Sequence, residues 1–312
     1  MRILFCIILL IGSINRANAE TDSLYIQSYP GKLSISGFLV RDLLLMTVET
    51  LDEEVSYWPN NPAELGMGLT LDNTVISFAY GYGFDFLRDK KRGKTKSFDL
   101  QLHSYGQKWV FDFVFQRYEG FYKEYDDSDL AFELCPDLRI NQYGLNVQYV
   151  FNNKQFSYKA AYSQNEKQLR SVGSWLVGAG VYLSNIRSDS TFIYKGKNDL
   201  NNFQFGINGG YTYSWVLGKH WLINCALTVG ISIGSEKINK FGEEKIKVSP
   251  NAFPRISFCY THTDWAVGLT LVNSITYPSF SNKHMIGLYS GNVQLSYMRR
   301  FENVPFLSNF IK

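Results

Sequence analysis

Residues 203–215 read Phe-Gln-Phe-Gly-Ile-Asn-Gly-Gly-Tyr-Thr-Tyr-Ser-Trp, so that large apolar side chains alternate with small or polar ones. Successive side chains of an extended strand point to opposite faces. One face carries Phe203, Phe205, Ile207, Tyr211, Tyr213 and Trp215, and the other carries Gln204, Gly206, Asn208, Gly210, Thr212 and Ser214. A strand that is apolar on one side and polar on the other is typical of a transmembrane β-barrel.

The same alternation recurs along the chain and predicts thirteen strands. They cover residues 33–49, 64–71, 74–84, 96–104, 108–118, 140–151, 154–163, 172–184, 202–217, 220–234, 246–261, 264–276 and 286–301. A single-chain bacterial barrel has an even number of strands. A weak strand near 190–195 would give fourteen, and merging or discarding one segment would give twelve. The sequence therefore predicts an all-β, antiparallel transmembrane barrel of fourteen strands, with twelve as the alternative.

The composition favours a barrel over the rival fold, a soluble secreted β-sandwich. The chain is 45% hydrophobic and 16% aromatic, yet the small-residue faces carry little charge. The outward face of a sandwich meets water and is usually charged. The net charge of +3 is too small to indicate nucleic-acid binding.

Both ends of the chain indicate export. Met1-Arg2, the apolar run 3–11 and Ala17-Asn18-Ala19 have the form of a signal peptide covering residues 1–19. Residues 20–312 then form one barrel domain, predicted in the outer membrane of a Gram-negative bacterium. The last strand resembles the signal read by the barrel-insertion machinery, through Val293, Leu295, Tyr297 and Phe301.

Turn and loop lengths predict the orientation of the barrel. Short turns are predicted near 72–73, 105–107, 152–153, 218–219 and 262–263. The last four are flanked by aromatic residues, which favour the membrane interface. The opposite ends carry longer loops, at about 50–62, 85–95, 119–139, 164–171, 235–245 and 277–284. Short periplasmic turns and long outer loops are usual, so both termini are predicted to be periplasmic.

Three cysteines follow the signal peptide. Cys225 falls on an apolar face and Cys259 on a polar one, and with Cys135 the count is odd, which argues against a disulfide framework. No Cys-x-x-Cys pair or His-rich tract is present in the sequence, so neither a metal site nor a cofactor is predicted.

Two loop motifs suggest ligands only weakly. Gly93-Lys94-Thr95 resembles the end of a P-loop, but the residue five positions before Gly93 is Arg88 where the motif needs glycine. The surrounding lysines suit lipopolysaccharide phosphates, or simply a solvated loop. The acidic run 126–129 offers oxygen ligands for calcium without the spacing of a dedicated loop.

Ionisable residues on inward strand faces are the candidate functional residues. They are Asp99, His103, Asp112, Lys159 and Arg255. Asp99 and His103 share one strand face but lie about 13 Å apart by strand rise, whereas Asp112 on the neighbouring strand could approach either. The alternative interpretation is a mutually compensated polar lumen, and no catalytic residue is assigned.

Several longer stretches resemble a known family. They include Tyr57-Trp58-Pro59-Asn60-Asn61-Pro62, residues 93–103, Gly120-Phe121-Tyr122, Pro136-Asp137-Leu138, residues 155–161 and residues 164–174. The chain resembles domain-of-unknown-function family 4421 over almost its whole mature length. The resemblance implies an outer-membrane location in a Bacteroidota cell, and it implies no activity.

The sequence therefore favours a non-enzymatic role, as a pore, transporter or structural protein of the envelope. The alternative is an outer-membrane lipid-modifying or hydrolytic enzyme built on a barrel. The predicted partners are outer-membrane lipids and lipopolysaccharide, together with the insertion machinery.

Overall fold

The computed structural model describes residues 21–29, 33–51, 53–71, 74–80, 88–125, 132–190, 198–235, 247–281 and 284–301. The predicted signal peptide, the turn at 72–73 and the acidic run 126–129 lie outside these ranges. Short helical turns occur at Lys90–Arg92 and Lys159–Ser163. No helix within the described ranges is long and apolar enough to cross a membrane.

Fifteen strands account for most of the described residues. They are β1 (Ile26–Ser28), β2 (Leu33–Thr50), β3 (Glu54–Trp58), β4 (Glu64–Leu71), β5 (Thr74–Tyr80), β6 (Lys96–Tyr105), β7 (Trp109–Tyr125), β8 (Phe132–Val150), β9 (Glu166–Gln168), β10 (Val172–Arg187), β11 (Asp199–Leu217), β12 (Trp221–Ser235), β13 (Lys247–Thr261), β14 (Trp265–Phe280) and β15 (His284–Phe301).

One antiparallel sheet closes on itself. Strands β7 to β15, without β9, pair in the order β15-β14-β13-β12-β11-β10-β8-β7, and β7 connects through β3 to β2. Strand β2 then pairs with β15 from Leu33 against Phe301 to Thr50 against His284. Closure satisfies backbone groups that an open edge would expose to hydrocarbon. The predicted class, a transmembrane antiparallel barrel, is confirmed, and the sandwich is excluded.

The sheet contains thirteen strands within the described ranges, a number between the two predicted counts. Strand β2 has two partners along one edge, β3 beside residues 46–49 and β4 beside residues 33–40. Strand β3 lies in a segment, 50–62, that the sequence predicted as a loop. Strand β5 pairs with β4 and β6 pairs with β7, and no ladder joins β5 to β6 in the described part of the chain.

The predicted strand 154–163 is wrong, because β8 pairs directly with β10 and the chain between them leaves the wall. Residues 151–171, named here the inner segment, contain turns, the π-helical turn Lys159–Ser163 and the short strand β9. Strand β9 pairs with β1 in a separate two-stranded sheet. The weak strand near 190–195 falls largely outside the described ranges, and β10 pairs directly with β11.

The predicted faces are observed on β11. Phe205 and Ile207 are 48% and 55% exposed on the outer surface, whereas Gln204 and Asn208 are buried. The cysteines follow their predicted faces, since Cys225 is exposed and Cys259 is buried, and the three cysteines of the described ranges form no disulfide with one another.

The tight turns lie at one end of the barrel, named here the turn end. At residues 106–108 the Gly106 amide donates to the Trp109 carbonyl (2.8 Å), and at 262–264 the His262 amide donates to the Trp265 carbonyl (2.8 Å). Aromatic rings gather there, with Tyr260 between Trp221 and Trp265 at centroid distances of 4.8 and 5.2 Å. Aromatic rings at one end of a membrane barrel are typical of the interface between membrane and water.

Two apolar clusters fill the lumen near its ends. The turn-end cluster consists of Val110, Val150, Phe156, Tyr158, Ala160, Ala161, Tyr162, Leu176, Leu222, Ala226, Cys259 and Val272. The loop-end cluster, at the opposite end, consists of Leu44, Met46, Val55, Tyr57, Tyr118, Phe121, Cys135, Leu138, Ile140, Ile186, Leu200, Ile286 and Leu288. The candidate functional residues therefore lie between, or next to, two water-excluding regions.

Candidate functional site in the barrel lumen

Polar side chains between the two clusters bond to one another across the lumen. Gln148 Nε2 donates to Asn208 Oδ1 (3.0 Å) and to Thr228 Oγ1 (2.8 Å). Gln142 Nε2 on β8 donates to Thr276 Oγ1 on β14 (3.4 Å). We name this region the polar layer, and it comprises Gln101, His103, Asp112, Gln116, Gln142, Asn146, Gln148, Asn208, Thr228, Arg255, Thr276, Ser290 and Asn292.

Three of the predicted residues meet in the polar layer. Arg255 Nη2 donates to Asp112 Oδ2, and His103 Nδ1 lies 2.8 Å from Asp112 Oδ1. Arg255 is 2% exposed and Asp112 is 7% exposed. Both oxygens of the carboxylate are therefore engaged, one by each basic side chain.

The strand register explains this meeting. His103 and Asp112 are directly opposite one another on β6 and β7, so their side chains leave the wall together. Arg255 comes from β13, where its wall neighbours are Ala226 and Val272. The short Ala226 side chain leaves the long guanidinium side chain room to extend into the lumen.

The second nitrogen of His103 faces an amide. Asn292 Nδ2 lies 3.4 Å from His103 Nε2 and donates to Gln101 Oε1 (3.1 Å). A Ser-His-Asp arrangement needs a hydroxyl at this nitrogen. Asn292 occupies that position, so these residues form an oriented His-Asp pair without an adjacent nucleophile in the described ranges.

Asp99 belongs to a different group. Its Oδ2 accepts from Gln116 Nε2 (2.6 Å) and Tyr118 Oη (2.7 Å), on the neighbouring strand β7. Asp42 on β2 lies nearby in the lumen, where its Oδ1 accepts from Gln101 Nε2 (3.3 Å). The fold therefore separates Asp99 from His103, as the predicted spacing along their shared strand implies.

Lys159 lies in the inner segment and not on a wall strand. Its Nζ is 3.5 Å from Glu166 Oε1, and the Ser157 hydroxyl donates to Glu166 Oε2 (2.5 Å). The Ser157 hydroxyl also accepts from the Ala160 amide (3.0 Å), at the start of the π-helical turn. Burial lowers the pKa of the neighbouring Lys167. The Lys159-Glu166 ion pair and the Ser157-Glu166 hydrogen bond hold the inner segment together.

Stacked aromatic rings connect the inner segment to the polar layer. Tyr105 at the end of β6 stacks on Tyr158 and Tyr162, with ring centroids 5.9 and 5.4 Å apart. Tyr162 Oη donates to Asn224 Oδ1 on β12 (2.8 Å). Burial raises the pKa of Tyr158 to about 12. The inner segment thus fills the lumen on the turn side of His103.

Arg300 on β15 fastens the inner segment to the wall. Its guanidinium donates to the Gln164 carbonyl and to the His262 carbonyl (3.0 Å). Gln164 has a left-handed backbone, with φ of 51°. Its side chain contacts Cys259 Sγ (3.4 Å) and accepts from Ser296 Oγ (3.3 Å). One residue at the end of the π-helical turn is therefore held by two wall strands.

A small cavity borders the Arg255-Asp112 pair. Its volume is about 20 Å³ when measured as the space open to the centre of a water molecule. One water needs about 10–15 Å³ on this measure, so the cavity has room for one or two atoms of that size. A large substrate does not fit beside Arg255 in this arrangement.

The described residues contain no group of three His, Cys, Asp or Glu side chains placed to hold a metal ion. The sequence interpretation missed two features of the site. Asn292 was not singled out, and residues 154–163 of the inner segment were predicted to form a wall strand. A signal for the wrong strand was present in the sequence. Three strands were predicted between the turns at 152 and 218, although two turns at the same end of a barrel must be joined by an even number of strands.

The closed ladder, the apolar outer face and the polar lumen define a membrane β-barrel protein. Residues 20–301 match the family described as Domain of unknown function (DUF4421), and the chain belongs to this family. The resemblance stated from the sequence is thereby confirmed. No curated protein is significantly similar to the chain in sequence.

Solved outer-membrane proteins are distantly similar in structure. Outer membrane protease OmpT from Escherichia coli is 9% identical with a TM-score of 0.36, and the match covers 92% of this chain and 100% of that one. Toluene transporter TodX from P. putida is 8% identical (TM-score 0.27; 88% and 91% covered). OprG from Pseudomonas aeruginosa is 11% identical (TM-score 0.23; 89% and 99% covered). Scores this low transfer no role to this chain.

Proposed function

We propose that this protein is a non-enzymatic outer-membrane barrel with a sealed lumen, which serves the envelope as a structural protein and not as an open pore. The observation that carries the proposal is the set of bonds between opposite walls, of which Arg255-Asp112 and Gln142-Thr276 join the most distant strands. Apolar clusters fill the lumen on both sides of these bonds. An aqueous channel needs a lumen lined, and not filled, by side chains.

The outer membrane is the location that the sequence favours, through the signal peptide and the terminal strand. Outer-membrane lipids would cover the apolar outer face, and lipopolysaccharide phosphates would meet the basic segment 90–96. Arg92 in that segment bonds to Glu124 (2.6 Å) and lies 3.3 Å from Asp89. Because Arg92 is already paired with these carboxylates, contact with lipopolysaccharide would depend on the lysines of segment 90–96.

Planar-bilayer recording tests the sealed lumen. The full chain, refolded in detergent and shown to be inserted by flotation with liposomes, is expected to give no steady conductance at moderate voltages. An open porin in the same bilayer is the positive control. Steady unitary currents from the wild-type protein would overturn the proposal.

An enzyme is the second candidate, because the His103-Asp112 pair has the orientation of a general base. The hypothesis is tested by incubating the protein with outer-membrane lipid extract and analysing the products by mass spectrometry. A change in the lipids that disappears in His103→Ala, but persists in His220→Ala at the turn end, would support the enzyme.

A further inference from the structure

We propose that the cavity beside Arg255 is a binding site for one monatomic, monovalent anion of about the size of bromide. The site is defined by buried hydrogen-bond donors that lack acceptors and lie in the barrel lumen. It does not depend on the proposed structural role, because a sealed barrel and an anion site are measured by different experiments.

Two buried donors border this cavity without an acceptor. Arg255 Nη1 and Asn146 Nδ2 have no hydrogen-bond partner of good geometry among the described residues, and both residues are only 2% exposed. A buried donor left without an acceptor costs about 1–3 kcal/mol. The hydroxyls of Tyr182 and Ser274, which border the same cavity, also lack a well-formed hydrogen bond.

The carboxylate of Asp112 and the amide oxygen of Asn146, which are the acceptors beside these donors, are already occupied. Asp112 uses one oxygen for Arg255 and the other for His103. The Asn146 side-chain oxygen accepts from Asn208 Nδ2 (3.1 Å), and the amide nitrogen of Asn146 has no acceptor of its own. The excess of donors selects a ligand that accepts hydrogen bonds, and an anion accepts them more strongly than a neutral group.

The size and surroundings of the cavity restrict the anion. The cavity has room for one or two atoms of the size of a water oxygen. Phe253 stacks on Tyr182 with centroids 6.1 Å apart, and Val114 and Val272 complete an apolar rim. Asp112 offsets the charge of Arg255, so the site supplies donors and little net charge. Such a site favours a weakly hydrated anion, because a strongly hydrated one loses too much on burial.

Bromide is the probe for a direct test. Crystals of the full chain grown in sodium bromide, with diffraction collected at the bromine edge, are expected to show an anomalous peak within hydrogen-bonding reach of Arg255 Nη1 and Asn146 Nδ2. A water at that position, or bromide peaks only on the outer surface, would overturn the proposal.

Thermal unfolding in detergent provides a test in solution. Replacing gluconate by bromide at constant ionic strength is expected to raise the midpoint for the wild type. In Asn146→Ala the apparent bromide affinity should fall by about tenfold or more, because one donor to a charged acceptor is lost. Asn251→Ala is the matched control, since Asn251 is a buried lumen amide that does not border the cavity.

The control variant should retain the bromide shift even though its own midpoint is lower. An equal bromide shift in wild type, Asn146→Ala and Asn251→Ala would show that the salt acts elsewhere, and would overturn the proposal. Neither outcome depends on whether the barrel conducts, so failure here is distinct from failure of the sealed-lumen proposal.

Discussion

Arg255 on β13 and Asp112 on β7 stand on opposite walls of the barrel, and their side chains meet in the lumen. Along the hydrogen-bonded order, β13 reaches β7 in five steps through β12, β11, β10 and β8, and also in five steps through β14, β15, β2 and β3. The ion pair therefore acts as a strut between strands that are five positions apart in the wall.

Replacing one side of this strut should destabilise the barrel strongly. Arg255→Met leaves Asp112 buried beside His103 without its guanidinium partner, and removing one partner of a buried ion pair costs about 3–5 kcal/mol. Urea unfolding in detergent, followed by tryptophan fluorescence, measures the loss. Lys219→Met, in an exposed turn, should change stability by less than about 0.5 kcal/mol.

The double variant Arg255→Met, Asp112→Leu sharpens that prediction. Removing both charges avoids an unpaired carboxylate, so the double variant should be more stable than Arg255→Met alone. The free energy of unfolding of the double variant is compared with the losses measured for Arg255→Met and Asp112→Leu alone. If those two losses simply add in the double variant, the side chains are not coupled, and the strut is contradicted.

Arg300→Ala should loosen the inner segment while leaving the wall intact. The variant loses the donors that hold the carbonyls of Gln164 and His262. Hydrogen exchange should become faster in residues 151–171, and β11 to β13 should keep their protection. Arg299→Ala is the matched control, because Arg299 is adjacent but exposed on the outer face. Unchanged exchange in residues 151–171 would contradict this anchoring role.

Gly120→Ala should destabilise the junction where β3 joins β7. Gly120 has φ of 86° in a bulge of β7, and an added Cβ would lie 2.8 Å from the Lys94 carbonyl oxygen. A non-glycine residue with this left-handed φ costs about 1–3 kcal/mol, and a steric overlap of the added Cβ costs about as much. Gly37→Ala is the control, because a Cβ there meets nothing within 4 Å. Equal unfolding midpoints for the two variants would contradict the strain at Gly120.

Sequence periodicity predicted the wall well, because it depends only on which side of a strand is apolar. Phe205 and Gln204 lie on the faces that their alternation predicted. Phe156, Tyr158, Ala160 and Tyr162 alternate in the same way, yet all four are buried in the lumen. Period-2 alternation does not distinguish a side chain that faces lipid from one that faces another part of the chain.

The candidate site was predictable only where one hairpin built it. His103 and Asp112 face each other because β6 and β7 are neighbours in sequence, and short turns fix the register. Arg255 joins them from the opposite wall, 143 positions along the chain from Asp112. Its reach depends on the width of the lumen and on how the ring closes, which local patterns do not contain.

The native cysteines can test whether the outer face of β12 contacts acyl chains. Cys225 is exposed between Tyr213 on β11 and Ile256 on β13, whereas Cys135 and Cys259 are buried. In lipid nanodiscs, Cys225 should resist a charged maleimide and react with an uncharged, membrane-soluble one, because hydrocarbon excludes the charged reagent. In a Cys225→Ser background, Lys219→Cys in the exposed turn should react quickly with both reagents. Rapid modification of Cys225 by the charged reagent in intact nanodiscs would mean that this face meets water, and the membrane assignment of the barrel wall would fail.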